Sequence, residues 1–189
     1  FVKHFIFIVF GFFLLIFVSF IEQKKLFTIS NLLFIIFLIT LILVPFLGIE
    51  VKGSKRWMGL PSPLPNIQPI ELLKPFFIIV ISSILSFENN KNLYFNFFLS
   101  FLIMLPIVFL LIIQPDIGQT ILIVLTWLSL IFVSGINLII FFSSFILIGS
   151  LISYLVFFIP KFAYIQKRII SFIDPSSGNN YQSEKASEA

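Results

Sequence analysis

The sequence predicts an all-α fold, a polytopic transmembrane helical bundle of about six spans, and its composition and apolar runs carry this prediction. Apolar residues make up 59% of the 189 residues, charged residues make up only 11%, and the mean hydropathy is +1.15. Soluble domains have about 45–50% apolar and about 25% charged residues, so the polar groups here are too few to cover a surface facing water. The apolar residues, among them 28 Phe, also form long runs. Lipid is therefore the predicted solvent for most of the chain.

Each predicted helix is a run of mostly apolar residues, of which about 20 are needed to cross roughly 30 Å of hydrocarbon. Pro45 and Pro106 fall inside two of these runs, where proline is tolerated if a neighbouring helix satisfies the carbonyl that it frees. The whole chain, 1–189, is predicted to be a single integral membrane domain. The predicted spans are 5–21, 32–48, 69–87, 93–113, 117–135 and 138–159.

Alternate loops of such a chain share one side of the membrane, which divides the polar stretches into two groups. One group holds the loops near Lys24, Lys91 and Asn137. The other holds the N-terminal edge, the 50–68 loop, the 114–116 turn and the tail from residue 160, and it carries most of the basic residues. The positive-inside tendency would place this second group in the cytoplasm. An anionic substrate outside would explain the same charges, and composition leaves both alternatives open.

The 68–74 segment, Gln-Pro-Ile-Glu-Leu-Leu-Lys, opens the third predicted span. Pro69 suits the first turn of a helix, and Glu71 falls in that turn, where the positive end of the helix favours an acid. Lys74 follows three residues later on the same face, so the two side chains are predicted to pair. An unpaired Lys would be costly at this depth. The pair is either an anchor of the helix end or part of a functional site.

Two further motifs belong to the same group of loops. Arg56 and Trp57 favour headgroup depth and would anchor the chain there, or they would recognise a phosphate and a sugar or lipid surface. Gln114 opens a second Gln-Pro pair, with Asp116 predicted in the first turn of the next span. Two helix N-termini would then face one surface, which suits an anion such as a diphosphate. The alternative is that Asp116 only caps its helix.

Several classes of chemistry are excluded by residue content. The chain has no Cys and a single His, His4, which excludes thiol catalysis, disulfides and Cys- or His-based metal sites. It carries no phosphate-binding glycine loop, no dinucleotide fingerprint and no Ser/His/Asp set. The charged residues are too few and too close to the membrane to indicate a nucleic-acid partner. No cofactor is predicted with certainty, and a divalent cation is left open.

Four motifs, in order along nearly the whole chain, resemble those of a known family. They are Gly-Ser-Lys-Arg-Trp at 53–57, Gln-Pro-Ile-Glu-Leu-Leu-Lys at 68–74, Gln-Pro-Asp-Ile-Gly at 114–118, and Arg168 with Ile-Asp-Pro at 173–175. In this order and spacing they resemble the SEDS (shape, elongation, division and sporulation) family of peptidoglycan glycosyltransferases. The 48–53 run most resembles the division branch, the FtsW type, and the RodA-type elongation branch is the alternative. Ile70 departs from the pattern, because the family usually has Ser there.

The resemblance implies a larger multi-pass protein of the bacterial cytoplasmic membrane, at the division septum, in which 160–189 begins a large extracytoplasmic loop. It implies that the motif loops are periplasmic, which favours the substrate explanation of the basic residues. It also implies that the protein polymerises lipid II, an undecaprenyl-diphosphate-linked disaccharide peptide, into glycan strands. A class B penicillin-binding transpeptidase and other divisome proteins are the implied partners.

The resemblance also implies roles for individual residues. The expected substrate-binding residues are Arg56, Trp57, Lys74 and Arg168, and those expected to orient them or hold the local geometry are Gln68, Glu71, Gln114, Asp116 and Asp174. The catalytic Asp is expected further downstream, so the chain by itself is expected to be inactive. A lipid II flippase or transporter is the rival function, because kinked spans and buried polar residues are also expected of one. A scaffold that only binds division partners is the third alternative.

Overall fold

The computed structural model describes residues 2–51, 54–61, 66–86, 93–160, 163 and 166. Arg168 and Asp174, and with them most of the predicted 160–189 loop, lie outside these residues. Within the described ranges the predicted all-α membrane fold is confirmed, with one helix for each predicted span. The elements are α1 Val2–Ser19, α2 Gln23–Leu47, β1 Ile49–Val51, β2 Ser54–Trp57, α3 Pro69–Leu85, α4 Leu93–Ile113, α5 Ile117–Val133 and α6 Leu138–Phe158.

The helices differ in how well they match the thickness of a membrane. Among the described residues, α2, α4 and α6 are long and apolar enough to cross one by length and composition. Helices α3 and α5 each have 17 residues, the short end of the range of about 17–25 that spans hydrocarbon. The side chains of α1 from residue 5 onward are all exposed and almost all apolar. An apolar surface of this kind indicates that the chain is a multi-pass membrane protein.

Helix α2 starts at Gln23, well before residue 32, where the predicted span begins. Lys24 and Lys25 therefore lie in its first turn and not in a loop, and the Leu26 N–H donates to the Glu22 carbonyl at 2.9 Å. Gln and Lys are good helix formers, so the backbone stays helical beyond the apolar run. Hydropathy predicts which residues of a span lie in the hydrocarbon, whereas helix propensity determines how far the helix extends beyond them.

The chain packs as two compact units, Phe1–Leu130 and Ile131–Ala189, and the single-domain prediction remains a prediction. In the first unit, the core side chains of α2, α3 and α4 are fully buried, and the rings of Phe37 and Phe76 stack at 5.6 Å. Trp127 of α5 is also buried and donates to Ser100 Oγ of α4 at 3.1 Å. In the second unit, the Asn137 side chain caps α6 by accepting from the Ile139 N–H at 2.8 Å.

A short antiparallel hairpin follows α2, where only a loop was predicted. Strands β1 and β2 pair Ile49 with Trp57, and a bridge between Met58 and Ile67 continues the contact toward α3. β-Branched and aromatic residues favour such a pairing. The hairpin brings Arg56 and Trp57 back to the end of the bundle where α2 ends and α3 begins.

Gly48 is the junction between α2 and the hairpin, and we expect Gly48→Ala to be destabilising. A Cβ there would overlap the Val44 carbonyl oxygen and lie 3.2 Å from the Trp57 carbonyl oxygen. Overpacking against backbone costs about 1–3 kcal/mol. The free energy of unfolding in detergent micelles measures the loss. Gly118 in α5 is the matched control, because its Cβ would meet nothing within 4 Å, and Gly118→Ala should be neutral or stabilising.

Candidate functional site

The guanidinium of Arg56, in β2, binds the turn between α4 and α5. Its Nε donates to the Gln114 carbonyl at 3.2 Å, one Nη donates to the Pro115 carbonyl, and the other Nη lies 3.5 Å from Asp116 Oδ1. All three nitrogens are thus engaged by consecutive residues of one turn. The contacts give Arg56 a clear structural role, and its predicted part in substrate binding is not tested by them.

Asp116 joins three parts of the chain at this turn. Its carboxylate pairs with Arg56 through one oxygen and accepts from Gln68 Nε2 through the other at 3.2 Å. Asp116 precedes α5 by one residue, so the predicted place in the first turn was wrong by a single position. The carboxylate therefore links the hairpin and the start of α3 to α5, which is a larger structural role than capping. Its side chain is only 9% exposed.

A second polar cluster lies one helical turn further along α3 and α5. The Lys74 Nζ is 2.5 Å from Glu71 Oε2 and donates to Gln119 Oε1 at 3.2 Å, and Gln119 Nε2 donates to Glu71 Oε1 at 2.6 Å. The predicted pairing of Glu71 with Lys74 is confirmed, and Gln119 closes the pair into a triangle. Sequence reasoning missed this role of Gln119. Gln119 follows Asp116 by three residues, a spacing that places the two side chains on the same side of the start of α5, and this was the available signal.

Gln114 lies at the same end of the bundle and links the end of α4 to α2. It is buried, and its Nε2 donates to the main-chain carbonyl of Leu41 in α2 at 3.3 Å. Trp57 is half-buried at the end of β2, beside these residues in the chain. Residues 54–57, 68–74 and 114–118 of the three motifs therefore meet at one end of the first unit, as the sequence analysis expected.

The electrostatics of the two clusters are nearly balanced. Arg56 is paired with Asp116, and Lys74 is paired with Glu71, so each cation has one carboxylate beside it. Helices α3 and α5 both begin here, and each adds a partial positive charge at its N-terminus. The helix ends therefore favour an anion even though the charged side chains are paired. No group of three or more His, Cys, Asp or Glu in the described ranges is placed to hold a metal ion.

The whole length of the chain matches a model of one known protein family. The family model described as cell cycle protein, covering FtsW, RodA and SpoVE, matches residues 1–189. The chain belongs to this family.

Relatives of known name cover most of the chain. The chain is 36% identical, over 96% of its length, to a protein of Buchnera aphidicola subsp. Schizaphis graminum named "Probable peptidoglycan glycosyltransferase FtsW". It is 34% identical, over 77% of its length, to the protein of the same name from Wigglesworthia glossinidia brevipalpis. The chain spans 52% of the first relative and 38% of the second, so it corresponds to about half or less of these proteins.

Solved structures share the fold. The rod shape determining protein RodA of Thermus thermophilus is similar with a TM-score of 0.62 and 27% identity, covering 75% of this chain and 46% of that one. A chain from a peptidoglycan synthase complex, described for its coordination of polymerization and crosslinking, is similar with a TM-score of 0.69 and 26% identity. That match covers 87% of this chain and 48% of the other. Both matches agree with the family assignment.

Proposed function

We propose that the chain forms the lipid-diphosphate-binding part of a division-type peptidoglycan glycosyltransferase, which polymerises lipid II into glycan strands. The names of the FtsW relatives support the activity and the branch. The observation that carries the proposal is the meeting of the Arg56–Asp116–Gln68 and Glu71–Lys74–Gln119 clusters where α3 and α5 begin. In the proposal this end faces the periplasm, at the division septum.

Lys74 is the residue best suited to contact the diphosphate. An ammonium group has three N–H donors, and the contacts to Glu71 and Gln119 use two of them. The third is left to a ligand oxygen, while the side chain remains 22% exposed. Glu71 and Gln119 hold the ammonium in position before the ligand arrives, which reduces the entropy lost on binding.

The other predicted residues have supporting parts in this proposal. Trp57, half-buried at the end of the hairpin, would shape the surface that meets the sugar or lipid. Arg56, Asp116, Gln68 and Gln114 would hold the 114–116 turn and the hairpin. Arg168 is proposed as a further phosphate contact and Asp174 as a loop residue, and both lie outside the described residues.

The reaction requires groups beyond those that bind. The acceptor hydroxyl attacks the anomeric carbon of the growing strand, a new C–O bond forms with inversion, and the bond to the diphosphate oxygen breaks. The hydroxyl proton would pass to a carboxylate base, which we propose is an Asp downstream of residue 189. Lys74 and the helix N-termini would stabilise the charge that develops on the leaving undecaprenyl diphosphate. A class B penicillin-binding transpeptidase is the proposed partner.

Purified full-length protein supplied with lipid II, with and without the transpeptidase partner, tests the function. We expect glycan polymer on gels, and we expect Lys74→Met to lose it while Lys55→Met, on the exposed face of β2, keeps it. Transport of lipid II across liposome membranes without any polymer would overturn the proposal in favour of a flippase. If Lys74→Met and Arg56→Met each form as much polymer as the parent, these clusters are not part of the site.

A further inference from the structure

Pro45 changes the hydrogen bonding of α2 at one particular carbonyl. In an α-helix the N–H of each residue donates to the carbonyl four residues earlier. Proline has no N–H, so Pro45 leaves the carbonyl of Leu41 without its helical donor. Leu41 is fully buried at 0% exposure, and neither water nor lipid supplies a donor there. The chain must satisfy this acceptor from another element.

Gln114 supplies the missing donor from the end of α4. Its Nε2 donates to the Leu41 carbonyl at 3.3 Å, and the residue is only 4% exposed. The main-chain carbonyl of the same residue accepts from Arg56 Nε at 3.2 Å. Two hydrogen bonds, both made by Gln114, thus connect the carbonyl that Pro45 frees to the Arg56–Asp116 cluster.

We propose that Pro45 is a positioning residue for this cluster, because its missing N–H keeps the Leu41 carbonyl available as the acceptor that places Gln114. Pro106 of α4 provides an internal comparison. It frees the carbonyl of Leu102, which lies on an exposed part of its helix, and no side chain in the described part of the chain donates to it. A proline inside a helix is therefore not sufficient to recruit a side-chain donor. The carbonyl that it frees must also lie opposite a buried amide.

Alanine at position 45 would have an effect opposite to its helix propensity. Alanine favours the helix far more than proline does, and its N–H would compete with the Gln114 amide for the Leu41 carbonyl. The helical hydrogen bond would draw that carbonyl toward the helix axis and away from Gln114, which would weaken the link between the 114–116 turn and α2. The consequence for lipid-diphosphate binding rests on the proposed function, whereas the consequence for the Pro45–Gln114 link does not.

A double-mutant cycle in the full chain tests the link, with Pro45→Ala, Gln114→Leu and both together in detergent micelles. We expect the double variant to unfold no more easily than Gln114→Leu alone. Undecaprenyl diphosphate binding should weaken about 3- to 10-fold in each single variant and no further in the double one. Pro106→Ala is the matched control and should leave binding within about twofold of the parent.

An ester at position 45 separates the missing donor from the shape of the proline ring. Lactic acid at this position has the size of alanine and, like proline, no N–H. We expect it to restore binding to within about twofold of the parent, where alanine does not. Additive effects in the cycle, or an ester variant as impaired as Pro45→Ala, would overturn the proposal. Coupled unfolding with binding unchanged in every variant would support the link and count against the proposed function.

Discussion

Replacing Asp116 by alanine is expected to lower the free energy of unfolding by about 2–3 kcal/mol. Removing one member of a buried ion pair leaves the other charge without compensation, and here the Arg56 side chain is 28% exposed, so the cost is below that of a fully buried pair. Gln68 loses its acceptor in the same variant. Reversible unfolding in mixed micelles measures the change.

The exposed pair of Glu22 with Lys25 provides the control for this prediction. Its side chains are 73% and 68% exposed, and Glu22→Ala should cost less than about 0.5 kcal/mol. Combining Asp116→Ala with Arg56→Met should reveal a coupling free energy of about 1–3 kcal/mol between the two residues. An Asp116→Ala protein as stable as Glu22→Ala would show that this ion pair does not hold the turn.

Replacing Lys74 by methionine is expected to weaken the binding of undecaprenyl diphosphate about 10- to 100-fold. A hydrogen bond from a charged donor contributes about 1.5–3 kcal/mol, which corresponds to this change in affinity. Methionine keeps the length of the side chain and removes its charge. The stability should change by only about 1 kcal/mol, because the partner Glu71 is 46% exposed. Equilibrium titration in lipid nanodiscs measures the affinity.

Lys55→Met controls for the loss of a positive charge at the same end of the bundle. Lys55 is exposed in β2, so its removal should change the affinity less than about threefold. Gln119→Leu keeps the ammonium and removes its support, and we expect a loss between those of the two lysine variants. Equal losses in Lys74→Met and Lys55→Met would mean that only net charge matters, and the aimed ammonium would then have no special role.

Much of the fold was predictable because apolar runs mark membrane helices directly. Every predicted span overlaps one observed helix, and Pro69 and Glu71 lie in the first turn of α3 as expected. The hairpin was missed, since two short strands in a polar loop have no periodicity long enough to recognise. The start of α2 was also missed, because Lys24 and Lys25 are polar residues that nevertheless favour a helix.

The sequence by itself determined which residues are polar in an apolar chain, the order of the motifs, and the pairing of Glu71 with Lys74. That pairing is local, since a spacing of three residues on a helix places the side chains together. Only the tertiary structure decided that Arg56 binds the 114–116 turn, that Gln119 completes the Lys74 pair, and that Gln114 reaches the carbonyl freed by Pro45. These contacts join residues from separate helices and the hairpin, and their partners depend on how those elements pack.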